Sequence, residues 1–332
     1  MGENRIILAH GGGGALTREL IEDTLVPLLG GSPAGLSDGA AVPGVEGLVF
    51  TTDSFVVKPL FFRGGDIGSL SVHGTINDLA VCGAEPLALS MALIIEEGLD
   101  LGLLKRVIES AAAAARACGV RIITGDTKVV ARGEADQLFI TTAGIGRRLI
   151  QPDPRNLHEG DRVLLSGSIA EHGVAVMSDR EGIAFETPVR SDSASVWPLV
   201  RALIDGGIEV HAMRDPTRGG LAACCVELAE DSGVGIILEE AAIPIRPEVR
   251  VACEALGLDP LTTANEGKFV AFVPDRDAVG AVEILRRIPG GRAAAIVGTV
   301  TRRRSVAVSL KTRWGAERVV DMPYGEDLPR IC

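Results

Sequence analysis

Short apolar runs alternate with stretches of helical spacing along the first half of the chain. The runs with strand character are LVFTTD (48–53), PLALSMALII (86–95), RIITGD (121–126) and QLFITTAGIG (137–146). The helical stretches cover 66–83 and 100–119, and each begins at an aspartate suited to an N-cap and ends at a glycine. This alternation predicts a domain in which helices pack on a sheet.

A second block of the same kind covers residues 160–310. Its predicted strands are RVLLSG (162–167), GVGIIL (233–238), KFVAFV (268–273), AAIVGTV (294–300) and SVAVSL (305–310), and its predicted helices lie near 196–206, 214–233, 247–257 and 277–287. Between the blocks, IQPDPRNLHEGD (150–161) has two prolines and no apolar period, which is typical of a linker.

The pattern therefore predicts two domains of α/β or α+β type, at 38–150 and 159–312. A lead segment (1–37) precedes them, with a predicted strand RIILA (5–9), the glycine run HGGGG (10–14) and a helix from about 16 to 28. The glycine run suits either a phosphate cradle or a hinge, because neither a P-loop lysine nor Rossmann spacing follows it. The last stretch (322–332) has no period and is predicted to be a flexible tail.

Composition narrows the functional classes. The chain has 332 residues, 46% of them hydrophobic, and a net charge of −11. Such an acidic balance argues against a nucleic-acid partner, and the apolar runs are too short to span a membrane. The first residues also lack the layout of a secretion signal, so we expect a cytosolic protein.

The six cysteines include one that the fold pattern does not explain. Cys118, Cys224, Cys225 and Cys253 fall in apolar helical patterns and are expected to be small buried hydrophobes, while Cys82 is less clear. Cys332 instead ends the stretch PYGEDLPRIC, whose prolines and glycine exclude a helix.

Four aspartates occupy positions where metal and phosphate sites are built. Asp38 lies in SDGAAV, Asp53 ends a predicted strand, Asp126 follows another, and Asp78 lies in the last turn of the helix 66–83. An anion in a last turn is disfavoured by the helix dipole, which a divalent cation would offset. Oxygen ligands alone favour Mg²⁺ held together with phosphate. Each aspartate taken singly is also explained as a solvated loop residue.

Three further features are candidates with open alternatives. RDPTRGG (214–220) either binds an anion at a helix start or simply caps that helix with an Arg–Asp pair. Lys128 follows Asp126 closely, and Glu266 precedes a predicted strand. Beside a metal–phosphate site these two would serve as acid–base groups; otherwise they form salt bridges.

Together these motifs resemble a known family. SDGAAV, TTDS, GTINDLAVCGAEP, GDTKVV and RDPTRGG are similar, in order and spacing, to the ATP-dependent superfamily of aminoimidazole ribotide synthetase, selenophosphate synthetase and thiamine-phosphate kinase. The terminal LPRIC, with AHGGGG and TTDSFVVKPLFFRGGDIG, narrows the resemblance to the HypE family of hydrogenase maturation proteins. The similarity covers essentially the whole chain.

The resemblance implies an ATP- and Mg²⁺-dependent carbamoyl dehydratase. Two subunits would pair their N-terminal sheets into a shared barrel, with ATP near that interface. A carbamoyltransferase, HypF, would load the last cysteine, and ATP would drive dehydration of the S-carboxamide to an S-cyanate. The cyanide would then pass to iron on a HypC–HypD complex, as a ligand of the [NiFe] hydrogenase centre.

The resemblance also assigns roles to residues. It implies an acceptor at Cys332, catalytic groups at Lys128 and Glu266, metal ligands at Asp53, Asp78 and Asp126, and nucleotide contacts at these three aspartates and at Asp38, Asn77, Gly125 and Thr127. We expect the tail to move between ATP and the partner, and to be mobile without nucleotide.

Two other functions stay open at this point. A sister kinase or synthetase would phosphorylate a small molecule, although the glycine run carries His10 and lacks the thiol of selenophosphate enzymes. A non-catalytic thiol carrier or scaffold would keep Cys332 without ATP turnover. Dependence of ATP hydrolysis on a loaded Cys332 distinguishes the three.

Overall fold

The computed structural model describes residues 5–29, 37–183, 189–303, 305–324 and 330–332. The first half contains β1 (Ala40–Ala41), β2 (Leu48–Phe55), β3 (Phe61–Phe62), β4 (Gly65–Asp66), β5 (Ala84–Glu96), β6 (Arg121–Val130) and β7 (Leu138–Arg148). Its helices are α1 (Ala15–Leu20), a π-helical turn (Ile21–Leu25), α2 (Val26–Leu28), α3 (Ile67–Val81) and α4 (Leu101–Ala117). The main sheet has the order β1-β2-β7-β5-β6, in which only β5 and β6 are parallel.

Helix α3 is the central element of the first domain. Its N-cap is Asp66, whose carboxylate accepts hydrogen bonds from the amides of Gly68 (2.8 Å) and Ser69 (3.2 Å), as the sequence predicted. The helix is buried along most of its length, between β2 and β7 of its own sheet and α4. The next glycine, Gly83, has a φ of +71° and ends the helix. The last turn of α3 therefore lies in a rigid setting.

The second half has the strands β8 (Arg162–Leu165), β9 (Ala212–Arg214), β10 (Gly235–Glu239), β11 (Val270–Val273), β12 (Ala295–Thr301), β13 (Val308–Lys311) and β14 (Glu317–Val320). Its helices are α5 (Glu171–Arg180), α6 (Trp197–Asp205), α7 (Gly220–Ser232), α8 (Pro247–Leu256) and α9 (Asp275–Arg286). The sheet order is β14-β13-β10-β12-β8-β11-β9. All four residues of β11 are buried, which explains the unbroken apolar run in KFVAFV.

Both halves are thus mixed sheets with helices, as predicted, while several local predictions were wrong. The strand predicted at RIILA is absent, because residues 5–8 are exposed and meet no sheet edge, and Leu8–Gly11 forms a 3-10 turn. Asp53 and Asp126 lie inside β2 and β6, not at strand ends. Helix α5 and strand β14 were not predicted.

The segment 214–220 also differs from its prediction. Arg214 ends strand β9, and the helix α7 begins only at Gly220. Pro216 disfavours a helical conformation in the residue before it, and Gly219 has a φ of +74°. The motif is therefore a loop between a strand and a helix. Among the described residues, no helix combines the length and apolar character needed to cross a bilayer.

Candidate active site between the two domains

A cavity of about 410 Å³ lies where the lead segment, both domains and the last residue of the chain meet. The residues that carry its chemistry are Arg18, Asp38, Asp53, Asp78, Arg214, Asp215, Arg218, Glu227, Asp231, Glu266 and Cys332. Most of these groups are charged or ionisable. Such a lining is suited to a polar, charged ligand rather than an apolar one.

Three of the carboxylates that line the cavity form a cluster. Asp38, Asp78 and Asp215 offer oxygen atoms that lie within 4.8 Å of one another. Burial raises the pKa values of Asp78 and Asp215 well above the usual range, and repulsion between the carboxylates raises them further. A divalent cation would relieve both costs. Because the ligands are all oxygen atoms, the cluster suits Mg²⁺.

The hydroxyl group of Thr51 makes two short contacts that constrain the protonation of this cluster. Its hydroxyl oxygen lies 2.5 Å from the carbonyl of Asp38 and 2.8 Å from Oδ2 of Asp78. A hydroxyl has one proton, so two full donations are impossible. If Thr51 donates to the Asp38 carbonyl, the other contact requires a proton on Asp78, in agreement with its raised pKa.

Two arginines balance the carboxylates. Arg214 Nε lies 3.5 Å from Asp38 Oδ1, and its guanidinium also pairs with Glu227. Arg218 donates to the carbonyl of Gly11 at 3.0 Å. The negative charge at Cys332, which lines the same cavity, raises the pKa of Arg218. Arg218 therefore joins the glycine run to the cavity wall.

The glycine run packs tightly against the second domain. Gly13 has a φ of +76°, and a Cβ there would lie 2.4 Å from Cβ of Arg218. Any side chain at this position would collide with Arg218. The close approach, with Gly13 and Gly14 both lining the cavity, accounts for glycine here better than a hinge does.

Glu266 lies in the cavity wall with one oxygen unpartnered. It is 3% exposed, and its Oε1 is buried without a hydrogen-bond partner among the described residues. Burial raises its pKa well above the usual value, and the charges of Asp215 and Asp53 add to that shift. Its backbone is held on both sides, because Asp192 accepts from its amide at 3.1 Å and Asn77 donates to its carbonyl at 3.0 Å.

Asn77 joins the two domains rather than lining the cavity. Besides Glu266, its amide group donates to the carbonyl of Ala194 (3.1 Å) and accepts from the amide of Val196 (2.8 Å). These bonds use the side chain on both its oxygen and its nitrogen. Asn77 therefore fixes α3 against the second domain, behind the predicted nucleotide site.

Residues 125–128 lie away from the cavity. They belong to β6, an edge strand of the first sheet, and do not line the cavity. Asp126 and Lys128 form an exposed ion pair at 2.8 Å, with side chains 63% and 68% exposed. The predicted ligand set of Asp53, Asp78 and Asp126 is therefore not assembled within one chain, because β5 and β7 separate β6 from β2. The carboxylates that meet are Asp38, Asp78 and Asp215.

The end of the chain is docked into the cavity. Residues 330–332 lie beside 56–58, with hydrogen bonds from Val56 N to the Cys332 carbonyl (3.0 Å) and from Lys58 N to the Arg330 carbonyl (3.2 Å). Ile331 is 3% exposed in the core of the first domain. The flexible tail was predicted at 322–332; residues 325–329 of it lie outside the described residues, and its mobility stays a prediction.

Three residues important to this site have no role among those that the family resemblance implies. Asp215 and Arg218 belong to RDPTRGG, for which the sequence predicts either an anion site or a helix cap, so the motif is a usable signal. His172 bonds through Nε2 to the Ile331 carbonyl at 2.8 Å. Nothing in its local sequence indicated a contact with a segment 159 residues away.

Comparison with known proteins identifies the family. The AIR synthase related protein N-terminal domain matches residues 36–148, and the corresponding C-terminal domain matches residues 158–311. The carbamoyl dehydratase HypE of Cupriavidus necator is 49% identical over 333 residues, which cover 99% of this chain and 95% of that protein. The chain belongs to the HypE family.

Solved HypE structures agree with this assignment. A HypE–HypF complex contains a chain that is 43% identical, with a TM-score of 0.86, covering 93% of this chain and 100% of that one. A HypE in complex with ATP is 42% identical, with a TM-score of 0.83, covering 99% of this chain and 100% of that one. Both domains matched in this HypE family member contribute to the cavity, whereas Cys332 lies beyond either match.

Proposed function

We propose that the chain is an ATP-dependent carbamoyl dehydratase, which converts an S-carboxamide on Cys332 into an S-cyanate for the iron of [NiFe] hydrogenase. The observation that carries this proposal is the position of Cys332, which lines the same cavity as the carboxylate cluster and Glu266. A substrate attached to its sulfur would thus be held beside acid–base groups and a site for a metal–phosphate ligand. The 49% identical carbamoyl dehydratase supports the assignment.

ATP would supply the leaving group. An amide does not readily lose water, since hydroxide leaves poorly; transfer of a phosphoryl group to the amide oxygen allows phosphate to leave instead. The two N–H protons are lost as the nitrile forms. Overall, the carboxamide and ATP yield the cyanate, ADP and phosphate. The solved HypE with bound ATP supports this choice of nucleotide.

Glu266 is the proposed acceptor of an N–H proton. Its raised pKa makes the ionised carboxylate a strong base, and its unpartnered oxygen is free to receive the proton. Repulsion from Asp215 and Asp53 contributes to that raised pKa, so a cation beside those carboxylates would favour the ionised form. Arg218, close to Cys332 and Asp53, would stabilise negative charge on the reacting group.

Mg²⁺ would be held by Asp38, Asp78 and Asp215, with Asp53 beside them. The oxygen-only ligands fit this ion, and the raised pKa values of Asp78 and Asp215 mark a site that favours a cation. When bound, Mg²⁺ would neutralise part of the negative charge on the phosphate groups of ATP.

A homodimer would complete the site. The edge strand β6 exposes Ile123 (59%) and Val129 (67%) together with Asp126 and Lys128. Unpaired edge strands with exposed apolar side chains are typical sites of strand or sheet pairing. We infer that a second copy covers this edge, and that Gly125, Asp126, Thr127 and Lys128 reach the cavity of the partner subunit.

Two further partners follow from the family. The solved HypE–HypF complex supports a HypF carbamoyltransferase as the source of the carbamoyl group. A HypC–HypD complex is the proposed acceptor of cyanide. We expect these exchanges in the cytoplasm.

Intact-mass analysis tests the proposal. After loading by the carbamoyltransferase, the C-terminal peptide should gain a carbamoyl group and, with ATP and Mg²⁺, then lose the mass of water. Cys332→Ala should abolish both changes and the associated ATP hydrolysis. ATP hydrolysis unchanged by Cys332→Ala would favour a sister kinase, and failure to bind ATP would favour a scaffold.

A further inference from the structure

A second cluster of metal-ligating side chains lies outside the cavity. His158, Asp161 and His211 offer ligand atoms within 4.8 Å of one another. His158 and Asp161 lie in the turn before β8, and His211 directly precedes β9. None of the three lines the cavity.

His211 lies between two carboxylates. Its Nδ1 is 2.8 Å from Asp161 Oδ2, and its Nε2 is 3.2 Å from Glu209 Oε1. A neutral imidazole has one N–H and one lone pair, so one ring nitrogen would face a carboxylate lone pair to lone pair. The arrangement is resolved if the ring carries two protons, or if a cation binds at one nitrogen.

The surroundings favour a metal ion at Nδ1. Glu209 would then accept the Nε2–H of His211, which is the outer contact that metal-bound histidines usually make. The ring of His158 lies 5.2 Å from that of His211, centroid to centroid, and supplies a third ligand. His158 is exposed, so an ion can enter, while Asp161 is only 4% exposed.

The ligands lie on fixed backbone. The His211 amide donates to the Phe272 carbonyl at 2.8 Å, which ties it to β11. Asp161 Oδ2 also accepts from the His158 amide at 2.8 Å, and the Asp161 carbonyl accepts from Val300 at 2.8 Å. A site on such paired segments needs little reorganisation to bind an ion.

We propose that His158, Asp161 and His211 bind a divalent transition-metal ion of the Zn²⁺ class, with the remaining position open to water. Two imidazoles and one carboxylate are ligands that Zn²⁺ accepts and Mg²⁺ does not prefer. The ion would join the end of the linker to the segment that leads into Arg214 and Asp215. This inference does not depend on the proposed function.

Zinc titration of the full-length, untagged and chelator-stripped protein tests the site. Mg²⁺ in excess keeps the oxygen cluster occupied. We expect one Zn²⁺ bound at micromolar concentration or tighter, and a visible spectrum typical of four-coordinate Co²⁺ when cobalt is substituted. His158→Ala should weaken binding at least about tenfold, and His211→Asn likewise.

Two controls make the result specific. His10→Ala removes a histidine of the lead segment, and Asp78→Asn alters the oxygen cluster; both should retain the zinc affinity. His158 is exposed, so its variant is expected to fold even if His211→Asn does not. Absence of binding in the unmodified protein, or equal binding by His158→Ala, would overturn the proposal.

Discussion

His172 Nε2 lies 2.8 Å from the carbonyl oxygen of Ile331, the residue before the proposed acceptor Cys332. Its other nitrogen lies 2.8 Å from Ser191 Oγ. Burial lowers the pKa of His172, so the neutral ring donates to Ile331 and accepts from Ser191. His172 thus links the docked end of the chain to the loop that carries Ser191 and Asp192. Asp192 in turn accepts a hydrogen bond from the backbone amide of Glu266.

Replacement of this histidine should release the end of the chain. His172→Phe keeps a ring of similar size but leaves the Ile331 carbonyl without its partner, which costs about 1–2 kcal/mol. We expect alkylation of Cys332 to become about tenfold faster, as that energy favours the undocked state. Mass spectrometry of the C-terminal peptide measures it separately from the other five cysteines.

His73→Phe is the matched control. His73 contacts Ser193 of the same loop at 3.0 Å. If its substitution accelerates alkylation equally, the loop as a whole, and not the contact with Ile331, holds the chain end. An unchanged rate in His172→Phe would also exclude the role assigned to this residue.

Asp215 should matter as much as Asp78, although the sequence singled out only the latter. Asp215→Asn removes one of three clustered carboxylates, and we expect at least about a 100-fold loss in Mg²⁺ affinity. The readout is the Mg²⁺ dependence of ATP hydrolysis by the carbamoylated enzyme. Asp205→Asn, on an exposed side chain, should have no effect. Equal Mg²⁺ dependence of Asp215→Asn and the unmodified enzyme would contradict the cluster.

The sequence could predict those site residues whose signal is local, but not those whose position depends on contacts far apart in the chain. Asp78 was identified because a helix dipole acts within a single turn. Asp215 was not identified, because the sequence predicted a helix from 214 where the structure has a loop before α7. The separation of Asp126 from Asp53 depends on strand order, which periodicity does not encode. The docking of Ile331 depends on contacts far apart in sequence.

Lys128 and Glu266 should act from different subunits. In one chain Lys128 is exposed on β6, whereas Glu266 lines the cavity. Lys128→Ala and Glu266→Gln should each be inactive alone as homodimers. Mixed dimers would contain one site in which both residues are intact, so activity should return to as much as about one quarter of the unmodified level if subunits exchange randomly.

The control for that mixture is a pair of variants within one cavity wall. Asp215→Asn mixed with Glu266→Gln should stay inactive, because each site then contains one altered residue from its own chain. Failure of Lys128→Ala and Glu266→Gln to complement, with exchange verified by mass, would contradict the shared site.

The buried pair of Asp192 and Lys268 should make stability depend on pH. Asp192 accepts from Lys268 Nζ at 3.0 Å and from the amides of Glu266 (3.1 Å) and Gly267 (3.3 Å). Burial acts to raise the pKa of Asp192, but the charge of Lys268 and the hydrogen bonds from Lys268 and the Glu266 amide lower it below its usual value. The unfolded chain therefore binds a proton at higher pH than the folded one.

The sign of the pH effect follows from that lowered pKa. The stabilisation by Asp192 is complete above its unfolded-state pKa of about 3.9 and is lost as the pH falls through the lower folded-state value. At pH 7, Asp192→Asn leaves Lys268 buried with Glu171 at 3.7 Å and should cost about 3 kcal/mol. In urea unfolding, the difference from the unmodified protein should shrink below about pH 4, where the latter loses the same charge. Asp205→Asn should cost less than about 0.5 kcal/mol throughout. A difference for Asp192→Asn that stays constant down to acid pH would show that its carboxylate charge is not what stabilises the loop.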